Sequence, residues 1–103
     1  MVKKIIWSKK ADTDRKNIFS YWNQRNQSNH YSIKLNKLFK EVLKLVSEHP
    51  KIGKLTDIEN VRIKIVRDYL IVYEELENEI LVLTIFSSHQ NLRSELYNPE
   101  SLQ

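Results

Sequence analysis

At 103 residues, 41% hydrophobic and 29% charged, the chain is long enough for a single domain with a modest core. Seventeen Lys and Arg against 13 Asp and Glu leave a net +4 at neutral pH, an excess compatible with nucleic-acid or acidic protein partners. The absence of cysteine excludes a disulfide framework, a thiolate zinc site and a thiol nucleophile, and one glycine is too few for a phosphate-cradling glycine loop. The N-terminal MVKKIIWSKK has too short an apolar run for a signal peptide. No stretch approaches the ~20 apolar residues of a spanning helix, so a soluble, cytoplasmic protein without a membrane partner is expected.

In chain order, KKIIW at residues 3–7 reads as a short strand, and Ser8 stands where a helix N-cap would stand. From there to about Asn26, Ala11, Ile18, Phe19 and Trp22 recur at helical spacing, with Asp12 and Asp14 in the early turns where the helix dipole favours acid. NQRNQSN, residues 23–29, is a polar break. Ser28 is the expected cap of a second helix running to about His49, with an apolar stripe of Tyr31, Leu35, Leu38, Phe39, Val42, Leu45 and Val46. Pro50 and Gly53 end it, and residues 54–60 read as a connecting loop.

Residues 61–86 hold three runs rich in Val, Ile, Leu and Tyr, parted by two sharp turns: an antiparallel meander over 61–66, 69–75 and 79–86. The last run is apolar on both faces and belongs inside a sheet. The predicted architecture is a two-layer α+β domain over residues 1–103. A helical hairpin packs on a four-stranded antiparallel sheet in the order first, fourth, third, second, with strand 61–66 at the edge. Trp22, Leu38, Phe39, Val82 and Leu83 are the expected core.

The first run alternates. Val61, Ile63 and Ile65 are expected on the core face, with Arg62 and Lys64 side by side on the other. On pattern alone these cations are best read as edge protection. The alternative is a phosphate-binding surface, since two cations two strand residues apart, ~7 Å, reach adjacent phosphates or one scissile phosphate. Arg67, in the turn, extends that patch. The tail HQNLRSELY adds His89, Arg93 and Tyr97, an acid–base type, a cation and a phenol, on what otherwise reads as a polar terminal helix. Lys34, Lys37, Lys40 and Lys44 form a basic stripe on the second helix, usually a solvated face and otherwise a source of non-specific affinity for RNA. Glu74, Glu75, Glu77 and Glu79 read as solubilising charge. His30, His49 and His89 are too scattered for zinc, so neither metal nor cofactor is expected.

Several segments in order resemble the RelE/ParE superfamily of type II toxins: Trp7-Ser8 closing the first strand, EHPKIGK, VRIKIVRDYLIVYE, ILVLTI and the ending RSELY. The resemblance covers nearly the whole chain. It implies a toxin masked by a cognate antitoxin partner. The reading preferred on the sequence, from the match at Tyr97, is the RelE side: an endoribonuclease that cuts mRNA on the ribosome and so inhibits translation. Arg62 and Lys64 would then take the basic-strand roles at the phosphate, and Tyr97, with His89 as alternative, would serve in proton transfer. Where RelE has arginines this chain has Leu70 and Asn91; Arg67 and Arg93 are the nearby cations. On the ParE side the resemblance implies a non-enzymatic inhibitor of DNA gyrase. A degenerate toxin that only binds its antitoxin is the third alternative.

Overall fold

The computed structural model describes residues 2–88. The chain runs β1 (Lys4–Trp7), α1 (Lys9–Asn26), α2 (His30–Glu48), a 3-10 turn (Pro50–Ile52), β2 (Lys54–Leu55), β3 (Val61–Val66), β4 (Tyr69–Glu75) and β5 (Glu79–Ser87). The expected α+β class holds: two helices lie on one face of a sheet whose order is β1-β5-β4-β3-β2.

The sheet departs from expectation in two ways. It has five strands, because Lys54 and Leu55, expected in a loop, pair antiparallel with Ile63 and Arg62. That makes β2 the edge and covers the first half of β3. The sheet is also mixed, because β1 runs parallel to β5, with Lys4 opposite Glu79 and Trp7 opposite Val82. The cause is the helical hairpin. β1 leads directly into α1, and α2 brings the chain back to the end where β1 began, where the Lys3 N–H donates to the Ser47 carbonyl at 3.0 Å. The meander then starts from that same end. Its two reversals leave β5 pointing the way of β3, and hence of β1.

Ser8 makes the strand-to-helix junction. Its N–H donates to the Val82 carbonyl (3.0 Å), its hydroxyl accepts the Ala11 N–H as the N-cap (3.0 Å) and donates to the Leu83 carbonyl (3.0 Å). β1 stops there, leaving the β5 edge open beyond Val82. Asp14, two turns into α1, closes it: one carboxylate oxygen accepts the Ile85 N–H (3.2 Å) and the Thr84 hydroxyl (2.5 Å).

α1 ends at Gln27, whose φ of 53° is the left-handed cap conformation that glycine usually fills. Ser28 does not cap α2 as expected. The N-cap is Asn29, without a side-chain cap bond, and the Ser28 hydroxyl instead accepts the His30 N–H at 3.1 Å within the turn. The left-handed Gln27 turns the chain sharply, so the second helix starts one residue late.

The core lies between the hairpin and one sheet face. Ala11 of α1 and Leu35, Phe39, Leu43 and Val46 of α2 meet Val66, Tyr69, Ile71, Tyr73, Ile80, Val82 and Ile85. Of the five expected core residues, Phe39 and Val82 are fully buried, whereas Trp22, Leu38 and Leu83 are half-buried. Trp22 sits at the hairpin tip, where its indole N–H donates to the Tyr69 hydroxyl (2.6 Å) and its ring meets Tyr31 edge-on at 4.8 Å.

Candidate functional site

The basic strand is not arranged as its alternation suggests. Arg62 is directly opposite Tyr73, Lys64 opposite Ile71 and Val66 opposite Tyr69. Residues directly opposite across a ladder share a face. Tyr69, Ile71 and Tyr73 are buried against the helices, so Arg62 and Lys64 project on the helix-covered side, at its open flank, and not on the face away from the core. Ile65 is on the other face and is 63% exposed. The reading from alternation assumed that three apolar residues outrank two long cations. Near a sheet edge, the stems of Arg and Lys run along apolar surface while their heads reach water.

The guanidinium of Arg62 is committed to structure: Nη1 donates to the carbonyls of Gly53 (2.8 Å) and Lys51 (3.0 Å). Beside it, the buried Tyr73 hydroxyl accepts the Gly53 N–H (3.0 Å) and donates to the Pro50 carbonyl (2.7 Å). Burial pushes the Tyr73 phenol above its ordinary pKa; the bond from Gly53 and the charge of Arg62 offset only part of that. Together Arg62 and Tyr73 fasten the 3-10 turn and the start of β2 to the meander. Sequence reasoning missed this role for Tyr73; the one glycine of the chain was a signal of close approach, but its partner lies 20 residues on, beyond any local pattern.

Lys64 is different. It is half-exposed and its ammonium has no hydrogen bond or ion pair among the described residues. Arg67 occupies the first turn position of the β3–β4 hairpin with φ 58°, exposed at the tip. Leu70, where the resemblance expects an arginine, is directly opposite Phe86 and Ile65, on the face away from Lys64, and is nearly buried. A cation at position 70 would therefore not share a face with Lys64. His89, Asn91, Arg93 and Tyr97 lie outside the described residues, so the expected approach of the Tyr97 phenol to Lys64 does too.

Elsewhere, Glu75 bridges Lys51 (3.0 Å) and Lys3 (3.2 Å), and the bond from Lys51, followed by that from Lys3, holds its carboxyl below the usual glutamate range. Glu75 is thus a structural clasp as well as solubilising charge. Among the described residues no group of three or more His, Cys, Asp or Glu is placed to hold a metal ion, and no helix is long and apolar enough to cross a membrane.

The model of the ParE toxin family of type II toxin–antitoxin systems matches residues 5–92. The chain belongs to that ParE toxin family. It is therefore a toxin of the RelE/ParE superfamily, the relationship that its motifs suggested. Among solved structures, one described as the chromosomal ParDE TA system from P. aeruginosa matches with a TM-score of 0.71 at 17% identity, covering 84% of this chain and 96% of that one. That likeness is of fold: two helices on one face of the sheet. No curated protein sequence is a significant match. Of the cations of the meander, Arg62 is bonded to the carbonyls of Lys51 and Gly53, whereas Lys64 and Arg67 have no ion pair or side-chain hydrogen bond among the described residues.

Proposed function

We propose that this ParE-family toxin poisons DNA gyrase by binding it, without catalysing a reaction, and that a cognate antitoxin covers its working surface until released. The family match over residues 5–92 carries this reading. Two features of the meander support it. Phosphodiester cleavage without metal needs several preorganised cations and an acid–base group around one phosphate. Here the Arg62 guanidinium is occupied by the carbonyls of Lys51 and Gly53, and position 70 carries an apolar side chain on the opposite face. A bacterial gyrase target would place the protein in the cytoplasm.

The RSELY ending and the unpaired Lys64 favour a second reading, an endoribonuclease that cuts mRNA on the ribosome with Lys64, Arg62 and Tyr97 at the phosphate and Arg67, Arg93 and His89 around it. Two assays with the purified toxin separate the readings. In the first, gyrase supercoils relaxed plasmid in its presence; in the second, ribosomes programmed with a defined message are incubated with it. Inhibited supercoiling with intact message is expected. Message cut on the ribosome while supercoiling proceeds overturns the proposal in favour of the nuclease. Inactivity in both, with antitoxin still bound, identifies a degenerate toxin.

A further inference from the structure

The two helices handle charge differently. On α1 three of the five cations are ion-paired, Lys10 with Asp14 (3.3 Å), Lys16 with Asp12 (3.1 Å) and Arg15 with Asp12, and the two guanidiniums lie over tryptophan rings, Arg15 over Trp7 (4.0 Å) and Arg25 over Trp22 (5.8 Å). On α2 none of Lys34, Lys37, Lys40 and Lys44 has an ion pair or side-chain hydrogen bond among the described residues. This holds although Glu41 and Glu48 stand four residues after Lys37 and Lys44, within ion-pairing reach on a helix.

Helix stability does not account for the stripe. The macrodipole favours acids in the first turn and bases in the last. α2 has no acid in its first turn and no base in its last; its lysines are strung along the middle. Solubility alone does not require like charges to share one face, since interspersed signs serve it as well. With four Lys and two Glu, α2 carries a net +2. At 100° per residue the four lysines fall within about 120° of arc, opposite the buried Leu35, Phe39, Leu43 and Val46. All four are exposed.

We infer that this outer face of α2 is a docking surface for the phosphate backbone of a nucleic-acid duplex. From Lys34 to Lys44 the helix rises about 15 Å. Along duplex DNA one strand presents a phosphate every ~3.4 Å of axis, so that length faces about four phosphates, one per lysine. Lysine ammonium groups act as point charges on flexible stems, which suits sequence-independent contact with phosphate and not bidentate reading of bases. The core side of α2 plays no part, so the surface remains available while the opposite side of the molecule holds the fold. The inference does not depend on which target the toxin poisons; a gyrase-bound toxin would find such a duplex beside it.

The test uses full-length toxin and a fluorescein-labelled 30-base-pair duplex DNA, with anisotropy titrations at several salt concentrations. The variant replaces Lys34, Lys37, Lys40 and Lys44 with Gln; all four are exposed, and circular dichroism checks that the fold is kept. Wild type is expected to bind at low salt, with log K falling linearly in log salt. The variant is expected to flatten that slope by about 3.6, the contribution of four phosphate contacts. A second variant, Lys64→Gln with Arg67→Gln, is expected to leave the slope unchanged. No binding by wild type at low salt, an unchanged slope in the quadruple variant, or loss confined to the Lys64/Arg67 variant overturns the inference. So does a quadruple variant that keeps DNA binding but loses its protein target in DNA-free solution, which would make the face a protein-docking surface.

Discussion

The Tyr73 hydroxyl stands 3.0 Å from the Gly53 nitrogen, and the same glycine has no room for a side chain: a Cβ there would lie 2.6 Å from that hydroxyl, 2.9 Å from the Tyr73 ring and 3.1 Å from the Arg62 Cβ. Backbone conformation is not the reason, since Gly53 has an ordinary extended φ of −75°. Close approach is. Gly53→Ala is expected to lower stability by about 1–3 kcal/mol, read from the urea midpoint at unchanged slope, because Tyr73 is buried and tied at its hydroxyl. Tyr73→Phe leaves the Gly53 N–H and the Pro50 carbonyl without their partner and is expected to lose about 1–3 kcal/mol.

Arg62 and Lys64, two residues apart on one strand, are expected to behave differently on truncation. Arg62→Ala removes charge-assisted bonds to two carbonyls and is expected to cost about 1.5–3 kcal/mol by chemical unfolding. Lys64→Ala is expected to stay within about 0.5 kcal/mol of wild type, as for a surface change without partners. Equal losses from both would show that Lys64 is also part of the scaffold.

Asp14 caps the part of the β5 edge that β1 does not reach. Asp14→Ala is expected to destabilise by about 1–3 kcal/mol and to speed hydrogen exchange of the Ile85 amide more than that of amides in the β3–β4 ladder. Lys10→Ala removes only the exposed partner of Asp14 and is expected to cost no more than about 0.5 kcal/mol.

Glu75 has a folded-state pKa below its ordinary 4.5, chiefly through Lys51 and then Lys3. A carboxylate depressed in the folded state stabilises fully above its unfolded pKa and loses that contribution as pH falls through the folded value. The melting temperature is therefore expected to decline below about pH 4.5, and Glu75→Gln should lower it at neutral pH while flattening that acid-side decline. An unaltered acid limb in the variant would remove Glu75 from the linkage.

Gln27 holds the left-handed cap of α1 with φ 53°, a conformation a glycine adopts without strain. Gln27→Gly is expected to raise stability by about 0.5–1 kcal/mol, seen as a melting temperature a few degrees higher. The gain is expected to be partly offset by loss of the bond from the Gln27 side-chain amide to the Gln24 carbonyl.

Local grammar made most of the fold legible. Ser8 before an acidic first turn marked α1, the Leu35-Phe39-Val46 stripe marked α2, and the doubly apolar run at 79–86 marked an interior strand. What was not legible depends on contacts far apart in sequence. Two residues, Lys54 and Leu55, are too few to show periodicity, and become a strand only because β3 offers them a partner. The direction of β1 relative to β5 is set by where α2 delivers the chain, which no local pattern records. The candidate cations were found by their alternation, but their face was misjudged. Alternation states that Arg62 and Lys64 share a side; which side the helices cover is decided by Tyr69, Ile71 and Tyr73 on the neighbouring strand. Likewise, the carbonyls that occupy Arg62 come from a turn whose path is not written in its own residues.

The parallel pairing of β1 with β5 joins residues 4–7 to residues 79–82, nearly the two ends of the described chain. During synthesis, a nascent chain that stops short of residue 82 has made its first strand but not the strand that receives it. The helical hairpin would likewise lie over an incomplete sheet, without the Val82 and Ile85 side chains that close its core. Pairings of such long range are slow to form and come late. A chain cut before residue 82 is thus expected to lack both the partner of its first strand and the side chains that close its core, and so to fail to complete this fold.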